Sequence, residues 1–206
     1  DKPLKLLFIG RLVESKGVQF LYDIDQKLKE RDIKVEWIII GGGVLEEQLL
    51  DQWKDVGNVN FIKPKDNDET IRIAKGCDIF VSPSIFEGYG IALLEAMSCG
   101  NVPLVYQLPV GIASMLPSIA GFSIVDRNID LFVDKVELLH NDRLLLRKMK
   151  REAYSFVANR FDIVKTSKEY LKSFLNTASL PQPVGKVTKE TSFGVFDKWF
   201  LPGFLS

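Results

Sequence analysis

Residues 82–105 of this 206-residue chain are SPSIFEGYGIALLEAMSCGNVPLV, and this stretch decides the fold. The apolar run at 77–81 predicts a buried strand, which Ser82-Pro83-Ser84 ends. A glycine-flanked elbow at 87–90 follows, and residues 91–99 have the apolar spacing of a helix. This order places free backbone N–H groups and the positive end of a helix dipole beside carboxylates. The stretch therefore predicts a site for a small ligand rich in hydroxyls and phosphates.

Similar apolar runs, each followed by an amphipathic stretch, occur along most of the chain. The predicted strands are 4–9, 35–40, 59–62, 79–81, 102–106 and 122–125. The predicted helices are 18–29, one ending at Trp53, 69–75, 88–99, 130–139, 142–159 and 163–175. Strands that are apolar throughout and alternate with helices indicate a parallel sheet covered on both faces. Right-handed crossovers then favour an α/β, doubly wound, Rossmann-like sheet of six strands in the order 3-2-1-4-5-6, with its ligand crevice beyond strands 1 and 4.

The composition excludes several classes of protein. Apolar residues make up 46% of the chain and charged residues 26%, which is typical of a globular core. Basic and acidic residues balance at 27 each, so no global positive field indicates a nucleic-acid partner. No signal peptide or apolar run of about 18 residues is visible, which favours a cytoplasmic protein that does not span a membrane. The two cysteines, Cys77 and Cys99, are expected to be reduced and are too few for a metal cluster.

The pattern divides the chain into a domain at 1–176 and a tail at 177–206. Prolines and a glycine interrupt the start of the tail, and large apolar residues crowd its end: Phe193, Phe196, Trp199, Phe200, Phe204 and Leu205. Such side chains are expected to pack on this domain, on another domain or on a membrane surface. Because the tail has few basic residues to hold anionic lipid, packing within the protein is favoured.

Two cations follow strand 1 on the glycine-flanked loop at 10–17. Arg11 and Lys16 beside the start of a helix, predicted near Lys16, would form a diphosphate site. The alternative is that both are solvated surface charges. Gly41-Gly42-Gly43 follows strand 2 but lacks the third glycine of a dinucleotide fingerprint, so it indicates a tight turn that a ligand or a neighbouring backbone approaches closely.

Two glutamates belong to the segment after strand 4. Glu95 lies among apolar residues of the predicted helix and needs a partner, either ribose hydroxyls or a basic side chain. Glu87 precedes the helix. There its carboxylate would interact favourably with the positive end of the helix dipole, bind a sugar hydroxyl or stabilise positive charge on a sugar. Asp66-Asn67-Asp68 resembles a metal motif, but its place before a helix favours capping, so we predict no metal site. The single histidine, His140, is interpreted as structural.

The segments FIGRLVESKG, WIIIGGG and CDIFVSPSIFEGYGIALLEAMSCGNVPLV together resemble the carboxyl-terminal domain of family-4 glycosyltransferases over residues 3–175. These are retaining enzymes of the GT-B fold, in which this half binds the donor. The resemblance implies catalytic roles for Glu87, Arg11 and Lys16. It implies a nucleotide and diphosphate site made by Gly10, Arg11, Lys16, Gly41, Gly42, Ile62, Lys63 and Glu95. It implies a donor-sugar site made by Glu87, Gly88, Tyr89, Gly90 and Ile91.

The same resemblance implies a hexosyltransferase that moves a sugar from a nucleotide-diphosphate sugar to a glycan or lipid-linked acceptor in polysaccharide biosynthesis. A UDP-sugar is expected in preference to a GDP- or ADP-sugar, with no metal or other cofactor. The expected partners are the nucleotide sugar and an amino-terminal acceptor domain that this chain lacks. We therefore expect the chain to be one half of a longer enzyme that is inactive or nearly so alone. Peripheral contact with the inner face of the membrane is a further expectation.

One departure from the family pattern keeps other functions open. Residues 108–115 follow strand 5, and Gly111 would form the turn expected there, but no acidic residue follows that glycine closely. This departure favours a non-catalytic GT-B-like binding module, and another GT-B enzyme such as a sugar-nucleotide epimerase is a further alternative. A phosphorylase would need a phosphate or cofactor site that the sequence does not reveal. The incomplete glycine fingerprint disfavours a dinucleotide-dependent oxidoreductase.

Overall fold

A computed structural model of the chain describes residues 2–64, 66–125 and 127–178. The chain divides into two compact units, residues 1–162 and residues 163–206. Residues 179–206, and with them the aromatic cluster of the tail, lie outside the described residues. The division at residue 176 and the packing of the tail therefore stay predictions.

A six-stranded parallel sheet with the strand order 3-2-1-4-5-6 forms the centre of the first unit, as the sequence predicts. The strands are β1 (Leu4–Ile9), β2 (Val35–Ile40), β3 (Val59–Ile62), β4 (Ile79–Ser82), β5 (Val102–Tyr106) and β6 (Phe122–Ile124). The order reverses between β1 and β4, whose registered pairs are Leu6 with Ile79 and Leu7 with Phe80. The carboxyl ends of these two strands therefore face the crevice where such sheets bind ligands.

Seven α-helices and two short 3₁₀ turns connect and follow the strands in the described part of the chain. The helices are α1 (Phe20–Glu30), α2 (Glu46–Gln52), α3 (Asn67–Lys75), α4 (Ile91–Ser98), α5 (Ile129–Asn141), α6 (Arg143–Arg160) and α7 (Ile163–Ala178). The 3₁₀ turns are Glu14–Lys16 and Ile112–Met115. The capping interpretation of Asp66 is confirmed, because its Oδ1 accepts a 2.8 Å hydrogen bond from the Glu69 N–H at the start of α3.

Alternate residues of each strand enter the hydrophobic cores on the two faces of the sheet. On β1, Leu6 and Phe8 join one core, whereas Leu7 joins the other. The first core includes apolar residues of α1, α2, α5 and α6, and the second includes residues of α3, α4 and α6. Burying one such side chain contributes roughly 1.5–3 kcal/mol. Packing on both faces therefore holds the strands in register.

Polar contacts fix the amino-terminal ends of the strands, on the side away from the crevice. Lys150 of α6 donates to the Cys77 carbonyl at 2.6 Å and to Asp78 Oδ1 at 2.9 Å. The fully buried Asp25 accepts hydrogen bonds of 3.0 Å from Trp37 Nε1 and Asn58 Nδ2. These polar contacts stabilise the amino-terminal end of the sheet, and the candidate ligand site lies at its carboxyl-terminal end.

The second unit is described only for α7. This helix is amphipathic and stacks Tyr170 on Phe174, with ring centroids 6.3 Å apart. Among the described residues, no helix combines the length and apolarity that a membrane span requires.

Candidate functional site

The loops that follow β1 and β4 are joined through their backbones. The Ile85 N–H donates to the Ser15 carbonyl at 3.1 Å. Gly17 has a φ of 70°, and a side chain there would lie 1.9 Å from the Pro83 carbonyl oxygen. Only glycine fits both this conformation and this close approach. The two loops that the sequence assigned to one crevice therefore meet.

A hydrogen-bonded chain of side chains crosses this junction. Lys16 Nζ lies 2.7 Å from Glu87 Oε1, and the same oxygen accepts a 2.9 Å hydrogen bond from Ser84 Oγ. Ser82 Oγ lies 3.4 Å from Ser84 Oγ, and both serines are buried. The Lys16 and Glu87 side chains are 21% and 23% exposed, so a ligand above the crevice can reach the pair.

One prediction about Lys16 is wrong. The helix expected near this residue begins at Phe20, and Lys16 ends the 3₁₀ turn that Gly17 closes. The left-handed backbone at Gly17 and its contact with Pro83 prevent the chain from continuing directly into α1. Lys16 therefore reaches the crevice from a turn, without the dipole of a helix that starts beside it.

Arg11 and the glycine turn lie beside the same loop. Arg11 is exposed and makes no ion pair with any carboxylate that the structure describes. The Leu12 N–H donates to the Gly42 carbonyl at 2.9 Å, and Gly41 packs against the Gly10 carbonyl so closely that a side chain would not fit. The close approach expected at the glycine run is therefore made by the neighbouring backbone.

The end of β3 adjoins this glycine turn. The Gly41 N–H donates to the Ile62 carbonyl at 3.3 Å. Lys63 Nζ pairs with Glu46 Oε1 of α2 at 2.5 Å. Gly10, Gly41 and Ile62 therefore lie side by side at the carboxyl ends of β1, β2 and β3.

Residues 88–91 lead into the amino terminus of α4. Gly90, with φ 88° and ψ 48°, immediately precedes the helix, which begins at Ile91. The first N–H groups of a helix have no partner within it, so this end can receive an anion or a hydroxyl oxygen. Tyr89 and Ile91 are exposed beside it. These residues directly follow Glu87 in the chain, and their role as one donor-sugar subsite stays a prediction.

The loop after β5 contacts the same segment. Gly111 has a φ of 74°, and a side chain there would lie 2.9 Å from the carbonyl oxygens of both Gly88 and Tyr89. Gly111 also precedes the 3₁₀ turn Ile112–Met115, so the turn anticipated at this glycine is present. The segment that departs from the family pattern therefore supports the 88–91 loop.

Glu95 lies on α4, partly exposed, and its carboxylate makes no ion pair with the described basic residues. The basic partner considered from the sequence is thus not found among these residues. Its backbone carbonyl accepts a hydrogen bond from Ser98 Oγ at 2.7 Å. No hydrogen bond or ion pair joins the Glu95 carboxylate to Lys16 or Glu87 among the described residues.

Sequence reasoning missed two members of this site. Ser84 was interpreted only as part of a strand end, although its hydroxyl donates to Glu87. Its position three residues before Glu87 could have indicated this hydrogen bond. Gly111 was seen as a turn, but its contact with Gly88 and Tyr89 depends on the tertiary structure. Among the described residues, no three His, Cys, Asp or Glu side chains form a group that could hold a metal ion.

Solved structures of glycosyltransferases share this fold. A mutant of Staphylococcus aureus TarM, in complex with fondaparinux, alpha-GlcNAc-glycerol and UDP, aligns with a TM-score of 0.75 at 20% identity, covering 86% of this chain and 36% of TarM. The C-terminal domain of the Francisella tularensis group 1 family protein LpcC aligns with a TM-score of 0.64 at 23% identity, covering 78% of this chain and 87% of that one. These likenesses confirm the fold class.

Sequence comparisons give the family. The Campylobacter jejuni N,N'-diacetylbacillosaminyl-diphospho-undecaprenol alpha-1,3-N-acetylgalactosaminyltransferase is 25% identical over 175 residues, which cover 84% of this chain and 45% of that relative. This chain spans less than half of the length of such curated relatives. The model of the family described as Glycosyl transferases group 1 matches residues 1–156, which include all of the candidate site residues. The chain therefore belongs to the Glycosyl transferases group 1 family.

Proposed function

We propose that this chain is the donor-binding, carboxyl-terminal half of a retaining family-4 glycosyltransferase. In this proposal a hexosyl group moves from a nucleotide-diphosphate sugar to a glycan or lipid-linked acceptor, as part of polysaccharide biosynthesis. The observation that carries it is the Lys16–Glu87 pair, which joins the loops after β1 and β4 beside the amino terminus of α4.

The arrangement suits departure of a nucleoside diphosphate. Negative charge builds on the leaving phosphate, and fixed cations and N–H groups stabilise it most when they are in place beforehand. Lys16 and Arg11 would supply the cations, and the amino terminus of α4 would supply N–H groups. This set needs no metal ion, so we propose metal-independent transfer.

The two glutamates would bind different parts of the donor. Glu95, without a basic partner among the described residues, would accept hydrogen bonds from ribose hydroxyls. Glu87 and the backbone at 88–91 would hold the sugar, whose oxocarbenium-like transition state a nearby carboxylate stabilises. Gly10, Gly41, Gly42, Ile62 and Lys63 would surround the base and diphosphate.

Two comparisons support the donor and the acceptor. UDP is present in the TarM structure, which favours a UDP-sugar over a GDP- or ADP-sugar for this chain. The name of the Campylobacter relative describes a diphospho-undecaprenol substrate, which favours a lipid-linked acceptor. We propose that an amino-terminal domain binds that acceptor, since the chain spans less than half of its relatives. Transfer would take place in the cytoplasm or at the inner face of the membrane.

Calorimetric titration of the chain with UDP, GDP and ADP tests this proposal. We expect saturable binding of UDP, unchanged by EDTA, and weaker or no binding of the other two nucleotides. Glu95→Ala and Arg11→Ala should each weaken the binding. Binding that neither variant affects would contradict the assigned site.

Failure of all three nucleotides to bind would require the same titration on the full-length protein. Binding there would mean that the acceptor domain completes the donor site. Failure there too would contradict the donor-binding function and favour a non-catalytic module.

A further inference from the structure

The sequence of α6 is strongly basic, although the whole chain has no net charge. Its one acidic residue is Glu152, which lies partly buried on the flank of the helix. Its basic residues are Arg143, Arg147, Lys148, Lys150, Arg151 and Arg160. An excess of this kind within one helix produces a local positive field that the balanced composition hides.

Three of these basic residues have partners in the first unit. Arg143 donates to the Lys2 carbonyl at 3.0 Å, and Lys150 pairs with Asp78 at 2.9 Å. Arg160 lies over the Phe156 ring, 5.9 Å from its centroid. These contacts stabilise the fold, so half of the basic residues of α6 have a structural role.

The remaining three, Arg147, Lys148 and Arg151, are exposed and make no ion pair with a described carboxylate. Their spacing of one, three and four residues places them on one side of the helix. The buried residues Leu146, Met149 and Ala153 occupy the opposite side. Three unpaired cations thus face solvent together.

Large apolar side chains accompany these cations. Leu144 and Tyr154 belong to the same side and are 72% and 55% exposed. They are separated by ten residues, or about 15 Å along the helix. Lys75, at the end of α3, lines the same shallow groove as Arg151 and Tyr154, which adds a fourth cation. These residues together are named the α6 cationic face: Lys75, Leu144, Arg147, Lys148, Arg151 and Tyr154.

We propose that the α6 cationic face docks this protein on an anionic lipid surface. Four or more Lys and Arg residues on an amphipathic helix are typical of contacts with acidic headgroups. An aliphatic side chain and a tyrosine on the same side can enter the interface between headgroups and acyl chains. This combination favours a bilayer over a single-stranded nucleic acid, because the face has a single aromatic residue and no row of rings on which bases could stack.

The α6 cationic face is separate from the proposed donor site. Its residues belong to α3 and α6, and to neither the candidate site nor the loops that form it. The face is also distinct from the tail, which was considered for membrane contact and lies outside the described residues. A membrane-bound acceptor would nevertheless give such docking an evident purpose.

Vesicle co-sedimentation of the complete chain tests the proposal. We expect binding to vesicles of equal parts phosphatidylcholine and phosphatidylglycerol at low salt, less binding at high salt, and none to phosphatidylcholine alone. The double variant Lys148→Gln/Arg151→Gln should bind anionic vesicles about 30-fold more weakly, since each cation near such a surface contributes about 1 kcal/mol. Leu144→Ser should weaken binding less.

Two matched variants control for the lost charge. Lys34→Gln/Lys54→Gln removes two exposed cations elsewhere in the first unit, of which Lys54 pairs with Asp51, and should bind vesicles as the wild type does. Lys168→Gln/Lys172→Gln removes two exposed cations of α7 and should do the same. Equal loss in either control, or no binding of anionic vesicles by the wild type, would overturn the proposal.

A duplex DNA titration separates lipid docking from general attraction to polyanions. We expect DNA binding to be weak and to fall only slightly in the α6 double variant, because the loss of two surface cations weakens attraction to any polyanion. DNA binding as tight as vesicle binding, and equally dependent on Lys148 and Arg151, would overturn the assignment to lipid. All the substituted side chains are exposed, so thermal unfolding should be unaltered in every variant.

Discussion

Lys16 Nζ lies 2.7 Å from Glu87 Oε1, although 71 positions separate the two residues in the chain. The cation that we propose for the diphosphate is therefore paired with the carboxylate that we propose for the sugar. Ser84 Oγ donates a hydrogen bond to the same carboxylate oxygen. A bound diphosphate would compete with Glu87 for Lys16. Binding of the diphosphate would therefore affect how Glu87 contacts the sugar of the same donor.

This pairing gives the two charges opposite expected effects on nucleotide binding. Glu87→Gln should leave UDP affinity unchanged or raise it a few-fold, because Lys16 loses a competing anion. Lys16→Gln should lower UDP affinity about 10-fold, since a hydrogen bond to a charged group contributes roughly 1.5 kcal/mol or more. Titration calorimetry measures both effects. Weaker UDP binding by Glu87→Gln, comparable to that of Lys16→Gln, would contradict competition between Glu87 and the diphosphate.

Glu95 is expected to discriminate ribose from its dideoxy form. The wild type should prefer UDP over 2′,3′-dideoxy-UDP by about 10-fold, because a carboxylate can accept hydrogen bonds from both hydroxyls. Glu95→Gln should reduce this preference, because a neutral amide oxygen accepts hydrogen bonds more weakly than a carboxylate does. Competition titrations provide the ratio, and Glu47→Gln, which alters an exposed glutamate of α2, is the matched control. An unchanged ratio in Glu95→Gln would remove Glu95 from the ribose site.

Gly111→Ala is expected to disturb the donor-sugar loop. The new methyl group would lie 2.9 Å from the Gly88 and Tyr89 carbonyl oxygens, at a backbone φ of 74°. We expect a loss of about 1–3 kcal/mol in the free energy of unfolding and a larger loss of affinity for UDP-sugar than for UDP. Chemical denaturation and calorimetry measure the two effects.

Gly57→Ala is the control for this substitution, because a side chain there meets nothing within 4 Å. It should change neither the free energy of unfolding nor the donor affinity by a measurable amount. Equal loss of UDP and UDP-sugar binding in Gly111→Ala would mean that Gly111 supports the whole site, not the sugar subsite.

Burial of Cys77 should give the protein a pH-dependent stability. Burial raises the pKa of this thiol from 9.0 to about 11, with the Asp78 charge adding to the effect. Between these values the folded chain retains a proton that the unfolded chain loses, so the free energy of unfolding falls as pH rises. Denaturation of the wild type and Cys77→Ala from pH 8 to pH 11 isolates this contribution. Parallel pH profiles of the two proteins would contradict it.

The sequence alone determined the sheet, and it also suggested the charged residues of the proposed site. The apolar runs at 6–8 in β1, 37–40 in β2 and 102–106 in β5 are buried on both faces, and this pattern predicts parallel strands wherever it alternates with helices. Once the strand order follows, the loops after β1 and β4 must share an edge of the sheet. Arg11, Lys16 and Glu87 were identified for that reason.

Helix boundaries and cap positions were less predictable. The start of α1 was expected near Lys16 and lies at Phe20, because Gly17 packs against Pro83 of a distant loop. No local pattern reveals that contact. In contrast, the cap at Asp66 was predictable, since its hydrogen bond to Glu69 spans three residues.

The tertiary structure decided which side chains meet. The Lys16–Glu87 pair and the contact of Gly111 with Gly88 and Tyr89 both depend on distances between segments far apart in sequence. The periodicity of apolar residues indicates which face of a helix or strand is buried. It does not indicate which side chain of another loop a loop residue will contact. Hydrogen bonds require a separation close to 3 Å, and only the packed backbone sets it.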